Sequence, residues 1–260
     1  MDETHPASAD RPRRLLAVVA HPRDADRALG AIVTHWVGQG TAAWLACCTS
    51  GDGRSDEATT DPLELAAEQE RELRESADRV GYRSVTFLHR PEGALANDLA
   101  LREQLVRLIR THRPDAVATH DPRPIVSDDG YVNHVDHRAC GAAAIDAVYP
   151  AAANAIACPG LVRSEGLEPH RVGRLYLFWS ERPNLNVAAG GVDCPLPPHE
   201  PHAKGAARPP PHGRAGGTHP GWGPPPHHKH RRHRGPPPGP HTPQRVGPPH
   251  PGPGRAERPA

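Results

Sequence analysis

The sequence predicts an α/β fold, a mostly parallel sheet with helices on both faces. Three observations carry this. Short, continuously apolar runs recur along residues 13–187, charged segments with helical spacing separate them, and turn residues mark the joints. Strands buried on both faces read as unbroken apolar runs, and their alternation with helices at this spacing points to crossover connections.

The elements follow in order. Leu15–Ala20 is apolar throughout and reads as a buried parallel strand. Asp24–Gly38 reads as a helix, with Ala28, Ile32, His35 and Trp36 near one face and Gly40 just past its end. Thr41–Cys48 is a second strand, closed by Ser50-Gly51-Asp52-Gly53. Leu63–Val80 is a charged amphipathic helix and Ser84–Leu88 a third strand. Leu99–Thr111 repeats apolar residues at Leu101, Leu105, Leu108 and Ile109, a helical spacing that Pro114 ends. Asp115–Thr119 is a short strand, followed by a loop over His120–Asn133 and a helix over His134–Val148. Arg174–Trp179 is the last strand. No G-x-G-x-x-G follows the first strand, which disfavours a dinucleotide site.

Composition divides the chain into a domain over residues 13–187, a polar N-terminal stretch over 1–12, and a tail over 188–260. The tail holds 21 of the 33 prolines and 10 of the 19 histidines, with ten Lys/Arg against three Asp/Glu. Its charge of about +7 is set against about −6 elsewhere, a split hidden beneath the overall +1. The domain is long enough to bury a full sheet. The tail has too little apolar surface to offset its ordering entropy, so it is expected to be disordered, as is the stretch 1–12. A shifted reading frame in a GC-rich gene would give the same Pro, Arg, Gly, Ala and His. Its one aromatic, Trp222, leaves no stacking platform for single-stranded nucleic acid. Cys47, Cys48, Cys140, Cys158 and Cys194 are odd in number and lack C-x-x-C spacing, which suggests neither a disulfide framework nor a zinc knuckle. Cys47-Cys48 reads as strand packing. No stretch has the length and apolarity of a membrane span or signal peptide, so the expectation is a soluble cytoplasmic protein.

Two clusters carry chemistry. Ala20-His21-Pro22-Arg23-Asp24 puts an imidazole and a carboxylate where the first strand gives way to a helix. That is the carboxyl edge, where open α/β sheets gather their sites. Taken alone, Asp24 reads equally as a helix N-cap. The second cluster, His134-Val135-Asp136-His137, opens a later helix at the same predicted edge. His137 is a candidate third ligand, completing the three protein ligands of a catalytic zinc with an open fourth position. Asp136 is placed to orient an imidazole through its other ring nitrogen. A protonated His134 would stabilise the oxyanion formed when water attacks an amide.

With these residues the chain resembles the PIG-L/LmbE-like family of zinc-dependent de-N-acetylases, whose motifs are A-H-P-D-D-x-[DE] and H-x-D-H. The likeness runs from about Arg14 to Asn186. It includes Thr49-Ser50-Gly51-Asp52-Gly53, the segment Leu101–Arg110, Arg113-Pro114-Asp115, Thr119-His120-Asp121-Pro122 and Tyr131-Val132-Asn133-His134. The resemblance implies a Rossmann-like, LmbE-like sheet, Zn²⁺ held by His21, Asp24 and His137, and transition-state stabilisation by His134, helped by Asp136. It also implies a small N-acetylated amino-sugar substrate; the hydropathy and the tail's composition speak against a membrane or nucleic-acid partner, and an oligomer is compatible with the sequence.

Two positions depart from the pattern. Arg23 stands where the family has the first Asp of its pair, the general base. A guanidinium stays protonated at any workable pH and cannot take that role. Gln69 stands where the family is expected to show a substrate-holding arginine. The sequence therefore leaves two readings: a zinc-dependent N-deacetylase impaired by Arg23, or an inactive family member that keeps the fold and binds metal or sugar.

Overall fold

The computed structural model describes residues 11–53, 59–126, 130–182 and 184. The stretch 1–10 and the tail from 185 onward, including the expected 188–260 segment, lie outside the described residues. The described residues all fall within the first of two units, Met1–Pro201.

Five strands, all parallel, form one sheet in the order β3-β2-β1-β4-β5. They are β1 (Arg14–Val19), β2 (Ala42–Thr49), β3 (Val85–Arg90), β4 (Ala116–His120) and β5 (Arg174–Phe178). The helices are α1 (Pro22–Gly38), α2 (Pro62–Val80), α3 (Leu99–His112), α4 (Val135–Asp146) and the short α5 (Pro159–Arg163), with a π-helical turn over Ala147–Ala151. Every expected strand and long helix is present, with ends displaced by a residue or two.

The unbroken apolar runs have a direct cause. Leu15, Ala17 and Val19 of β1 face one way and pack with Leu29, Val33, Leu73 and Ala77 from α1 and α2. Leu16, Val18 and Ala20 face the other way and pack with Leu101, Leu105, Ile109 and Ala143 from α3 and α4. With helices on both faces, neither parity of a central strand meets water. The α1 face is a correction to the sequence reading. Ala25, Leu29, Val33 and Trp36 point inward, while Ala28 and Ile32 are only half-buried. Trp36 is buried as expected, and Ala28 and Ile32 flank the buried stripe and pack against the same cluster.

The order in which strands are added reverses beside β1. The path runs β1, β2, β3 outward on one side, then returns to place β4 and β5 on the other. The carboxyl ends of β1 and β4 therefore flank a topological switch point, the crevice where such sheets bind ligands. At the opposite edge, the Asp115 carboxylate accepts hydrogen bonds from the Arg14 amide at 2.6 Å and the Arg174 guanidinium at 2.7 Å, tying β1, β4 and β5 together.

One glycine fixes how α4 sits on this frame. A Cβ at Gly141 would collide with the His120 carbonyl oxygen at the end of β4. Only glycine permits that approach, and it brings the first turn of α4 over the carboxyl edge. The excursion after α4 went unread in the sequence. Buried Arg110 on α3 holds it, donating to the carbonyls of Ala151, Ala152, Asn154, Cys158 and Leu167.

Candidate metal centre

His21 follows β1 and is the N-cap of α1. Its backbone N–H donates to Asp24 Oδ2 at 2.9 Å, so the helix start itself folds the carboxylate back toward the imidazole. The N-cap is thus His21, and Asp24 sits at the third position of the helix. His137 arrives on the first turn of α4.

Three atoms then meet. His21 Nδ1 lies 3.0 Å from Asp24 Oδ2, His137 Nε2 lies 3.2 Å from His21 Nδ1, and His137 Nε2 lies 3.3 Å from Asp24 Oδ2. Ligands held tetrahedrally at zinc distances stand about 3.3 Å apart, so this triangle has the dimensions of one face of such a site. The donor chemistry, two imidazole nitrogens and a carboxylate oxygen, fits Zn²⁺ as well.

Asp136 stands behind the triangle, fully buried. Its Oδ2 is 3.1 Å from His21 Nε2 and accepts from the Gly93 amide at 2.6 Å, while its Oδ1 accepts from the Leu95 amide at 3.1 Å. The imidazole that Asp136 orients is therefore His21; its Oδ2 is 4.0 Å from His134 Nδ1. With its Nε2 proton directed to Asp136, His21 presents the Nδ1 lone pair to the triangle, the arrangement by which carboxylates tune ligating histidines.

The charge balance follows from burial and neighbours. Burial alone would lower the His21 pKa, but the Asp24, Glu92 and Asp136 carboxylates outweigh it and the net direction is upward. Burial would raise the Asp24 pKa, yet the imidazoles of His120, His137 and His21 hold it well below the usual carboxylate range. His134 goes the other way, lowered by burial and by neighbouring His21. That direction favours the uncharged ring over the protonated one expected from the sequence. The Asp136 amide donates to its Nδ1 at 3.3 Å, which leaves the ring proton on Nε2.

Around these groups lies a cavity of about 580 Å³, lined in part by His21, Asp24, His134 and His137. His134 is 44% exposed there. Arg23 is half-buried beside the site, is not among the lining residues, and has no ion-pair partner among the described residues. Gln69 also lies off the cavity. Its Cγ packs against Gly51, in a gap that a Cβ there would narrow to 3.0 Å.

Among the lining residues left without a role in the sequence reading are His120, Glu92 and Trp179. His120 ends β4, stacks on the His137 ring at 4.2 Å, and lies 3.4 Å from Asp24 Oδ2. The Ala20 amide donates to its Nε2 and burial lowers its pKa to about 4, so it stays neutral. Glu92 reaches to 3.7 Å from His21 Nε2, its Oε2 held by the Gly53 amide. Trp179 follows β5. Applying the carboxyl-edge rule to every strand would have flagged His120 and Trp179.

Comparison with known proteins places the chain in a family. Residues 16–148, just over half of the chain, match the family model described as "PIG-L: GlcNAc-PI de-N-acetylase". A diacetylchitobiose deacetylase from Thermococcus kodakarensis is 27% identical over 69% of this chain and 65% of its own length. A 1D-myo-inositol 2-acetamido-2-deoxy-alpha-D-glucopyranoside deacetylase from Kineococcus radiotolerans is 26% identical over 72% and 61%. The chain thus matches a little under two thirds of these relatives. Among solved structures, an N,N'-diacetylchitobiose deacetylase from Pyrococcus horikoshii aligns with a TM-score of 0.61 and 25% identity, covering 67% of this chain and 63% of that one. The hydratase GalB from Pseudomonas putida shares the fold, at a TM-score of 0.54 and 20% identity over 66% and 67% of the two chains. The chain belongs to the PIG-L family, described as GlcNAc-PI de-N-acetylases.

Proposed function

We propose that this chain is a zinc-dependent amide hydrolase that removes the acetyl group from an N-acetylated amino sugar or its conjugate, with turnover limited by Arg23. The observation that carries this reading is the triangle of His21 Nδ1, Asp24 Oδ2 and His137 Nε2, with Asp136 fixing the proton of His21 on the far nitrogen. The named activities of the sequence relatives supply the substrate class.

In the reaction, water adds to the acetamide carbonyl, the C–N bond breaks, acetate leaves and the amine takes a proton. His21, Asp24 and His137 would hold the metal. When bound, zinc polarises the carbonyl and makes water a better nucleophile. His134, neutral with its proton on Nε2, is the donor for the developing oxyanion. Asp136 acts through His21 and through the Gly93 and Leu95 amides, fixing the loop after β3 against α4.

The weak point is proton removal from water. Arg23 cannot accept a proton, and loss of a general base commonly costs about 10²–10⁴ in rate. A second reading rests on that residue alone: an inactive family member that binds metal or sugar. Acetate release from N-acetylglucosamine and N,N'-diacetylchitobiose separates the two. The hydrolase reading expects slow release by the natural sequence and a gain of about 10²–10⁴ with Arg23→Asp. A zinc-loaded Arg23→Asp protein inert on both sugars would favour the binding protein.

A further inference from the structure

Trp179 follows β5 with a φ of +55°, in the left-handed region that a bulky side chain rarely adopts. Successive strand residues normally point to opposite faces, yet the Phe178 and Trp179 rings both reach His120, at centroid distances of 4.6 and 5.3 Å. The backbone on each side of the indole is pinned to the loop after β4. The Phe178 carbonyl accepts from the Asp121 amide at 3.1 Å, and the Ser180 hydroxyl accepts from the Arg123 guanidinium at 3.2 Å. Phe178, itself packed on the core cluster that α1 and α2 cover, meets the indole edge-on at 5.4 Å. The indole nevertheless stays 47% exposed. A strained backbone that fixes a half-open aromatic ring beside a site points toward function.

What the ring faces indicates its task. The indole lines the cavity and lies 5.3 Å from the ring of His137, a candidate ligand, so it stands at the metal end of the cavity. His134 and Glu92, which approach the triangle through His21, are polar. An N-acetylated amino sugar carries hydroxyls over most of its surface and one purely apolar group, the acetyl methyl. That methyl is one bond from the carbonyl carbon that water attacks, so it enters the site together with the reacting carbon. An apolar wall beside a candidate ligand is therefore placed for the methyl.

We propose that Trp179 is the wall of the acyl subsite: its indole packs on the acetyl methyl and blocks longer chains, so that the site selects N-acetyl over N-butanoyl amino sugars. This rests on the deacetylase reading above. Backed by Phe178 and His120 and carried on pinned backbone, the ring has little freedom to swing aside. One methylene too many in a fitted apolar pocket is worth about 10- to 200-fold in discrimination.

Ligand-observed NMR titration of the zinc-loaded full chain tests it by binding, independently of turnover. N-acetylglucosamine and N-butanoylglucosamine are each titrated into the natural sequence, Trp179→Ala, Trp179→Leu and Trp179→Phe. The natural sequence is expected to bind the acetyl sugar at least about tenfold more tightly. Trp179→Ala is expected to erase that preference, chiefly by gaining affinity for the butanoyl sugar, with the Leu and Phe variants in between. Should the Ala variant fail to fold, the Leu and Phe variants carry the comparison. Equal binding of the two sugars by the natural sequence overturns the wall, as does a preference for acetyl that persists through every variant; both leave the deacetylase reading standing. Equal loss of both sugars in the variants gives Trp179 a structural role, or contact with the sugar ring alone, and also overturns it. If neither sugar binds the natural sequence, the amino-sugar reading fails and the wall goes with it.

Discussion

At the residue scale, the site turns on one proton. His21 can carry protons on both nitrogens, bridging Asp24 and Asp136 as an imidazolium, or it can give up the Nδ1 proton and ligate a metal. Its raised pKa shows that the surrounding carboxylates favour the first state when no cation competes. Zinc must displace that proton. Apparent zinc affinity is therefore expected to rise by about tenfold per pH unit while His21 is still protonated, above as well as below pH 6.5, and then to level off. Competition titration with a chelator across pH checks this; a flat profile would mean that His21 is not displaced. Asp136→Asn, nearly isosteric, removes the charge that holds the tautomer and is expected to weaken zinc binding about 10- to 100-fold. His21, Asp24 and His137 were legible in the sequence because each sits at an element boundary at the carboxyl edge. Glu92 was not, since the bond that aims it comes from the Gly53 amide, remote in sequence.

At the element scale, α4 delivers His137 and Asp136, and Gly141 decides where α4 lies. Helix propensity alone would have Gly141→Ala stabilise the helix by up to about 1 kcal/mol. The collision with the His120 carbonyl reverses the sign, because backbone and not a flexible side chain must give way. The expected outcome is a loss of about 1–3 kcal/mol in thermal or denaturant unfolding, together with weaker zinc binding as His137 is displaced. A stabilised variant would show that α4 has room to move. Sequence periodicity identified α4 but not the turn over Ala147–Ala151 or the helix α5. These are held chiefly by the Arg110 guanidinium against carbonyls, a long-range contact that leaves no periodic trace. In α1 periodicity gave the helix and Trp36 but centred the stripe on its flank, at Ala28 and Ile32, rather than on Leu29 and Val33.

At the scale of the whole molecule, the sheet explains why two clusters more than a hundred residues apart share one site. The strand order reverses between β1 and β4, and the helices after β1 and β4 both start at that crevice. Unbroken apolar runs made the parallel sheet readable in advance, but strand order is a matter of pairing and had no sequence signature. The fold does not choose the chemistry, since a hydratase shares it. Under the proposed reading, the side chains gathered at the carboxyl edge, the triangle of His21, Asp24 and His137 among them, do so. Among the described residues no helix is long and apolar enough to cross a membrane. The histidine-rich tail lies outside them, and its His227-His228-Lys229-His230 run offers imidazoles of its own.

Zinc K-edge X-ray absorption on protein loaded with one equivalent of metal therefore tests the central claim most directly. The account predicts a first shell of nitrogen and oxygen at about 2.0–2.1 Å with the scattering signature of two imidazoles, falling to one imidazole or to loss of bound zinc in His137→Ala. An unchanged two-imidazole shell in that variant would place the metal elsewhere and contradict the account.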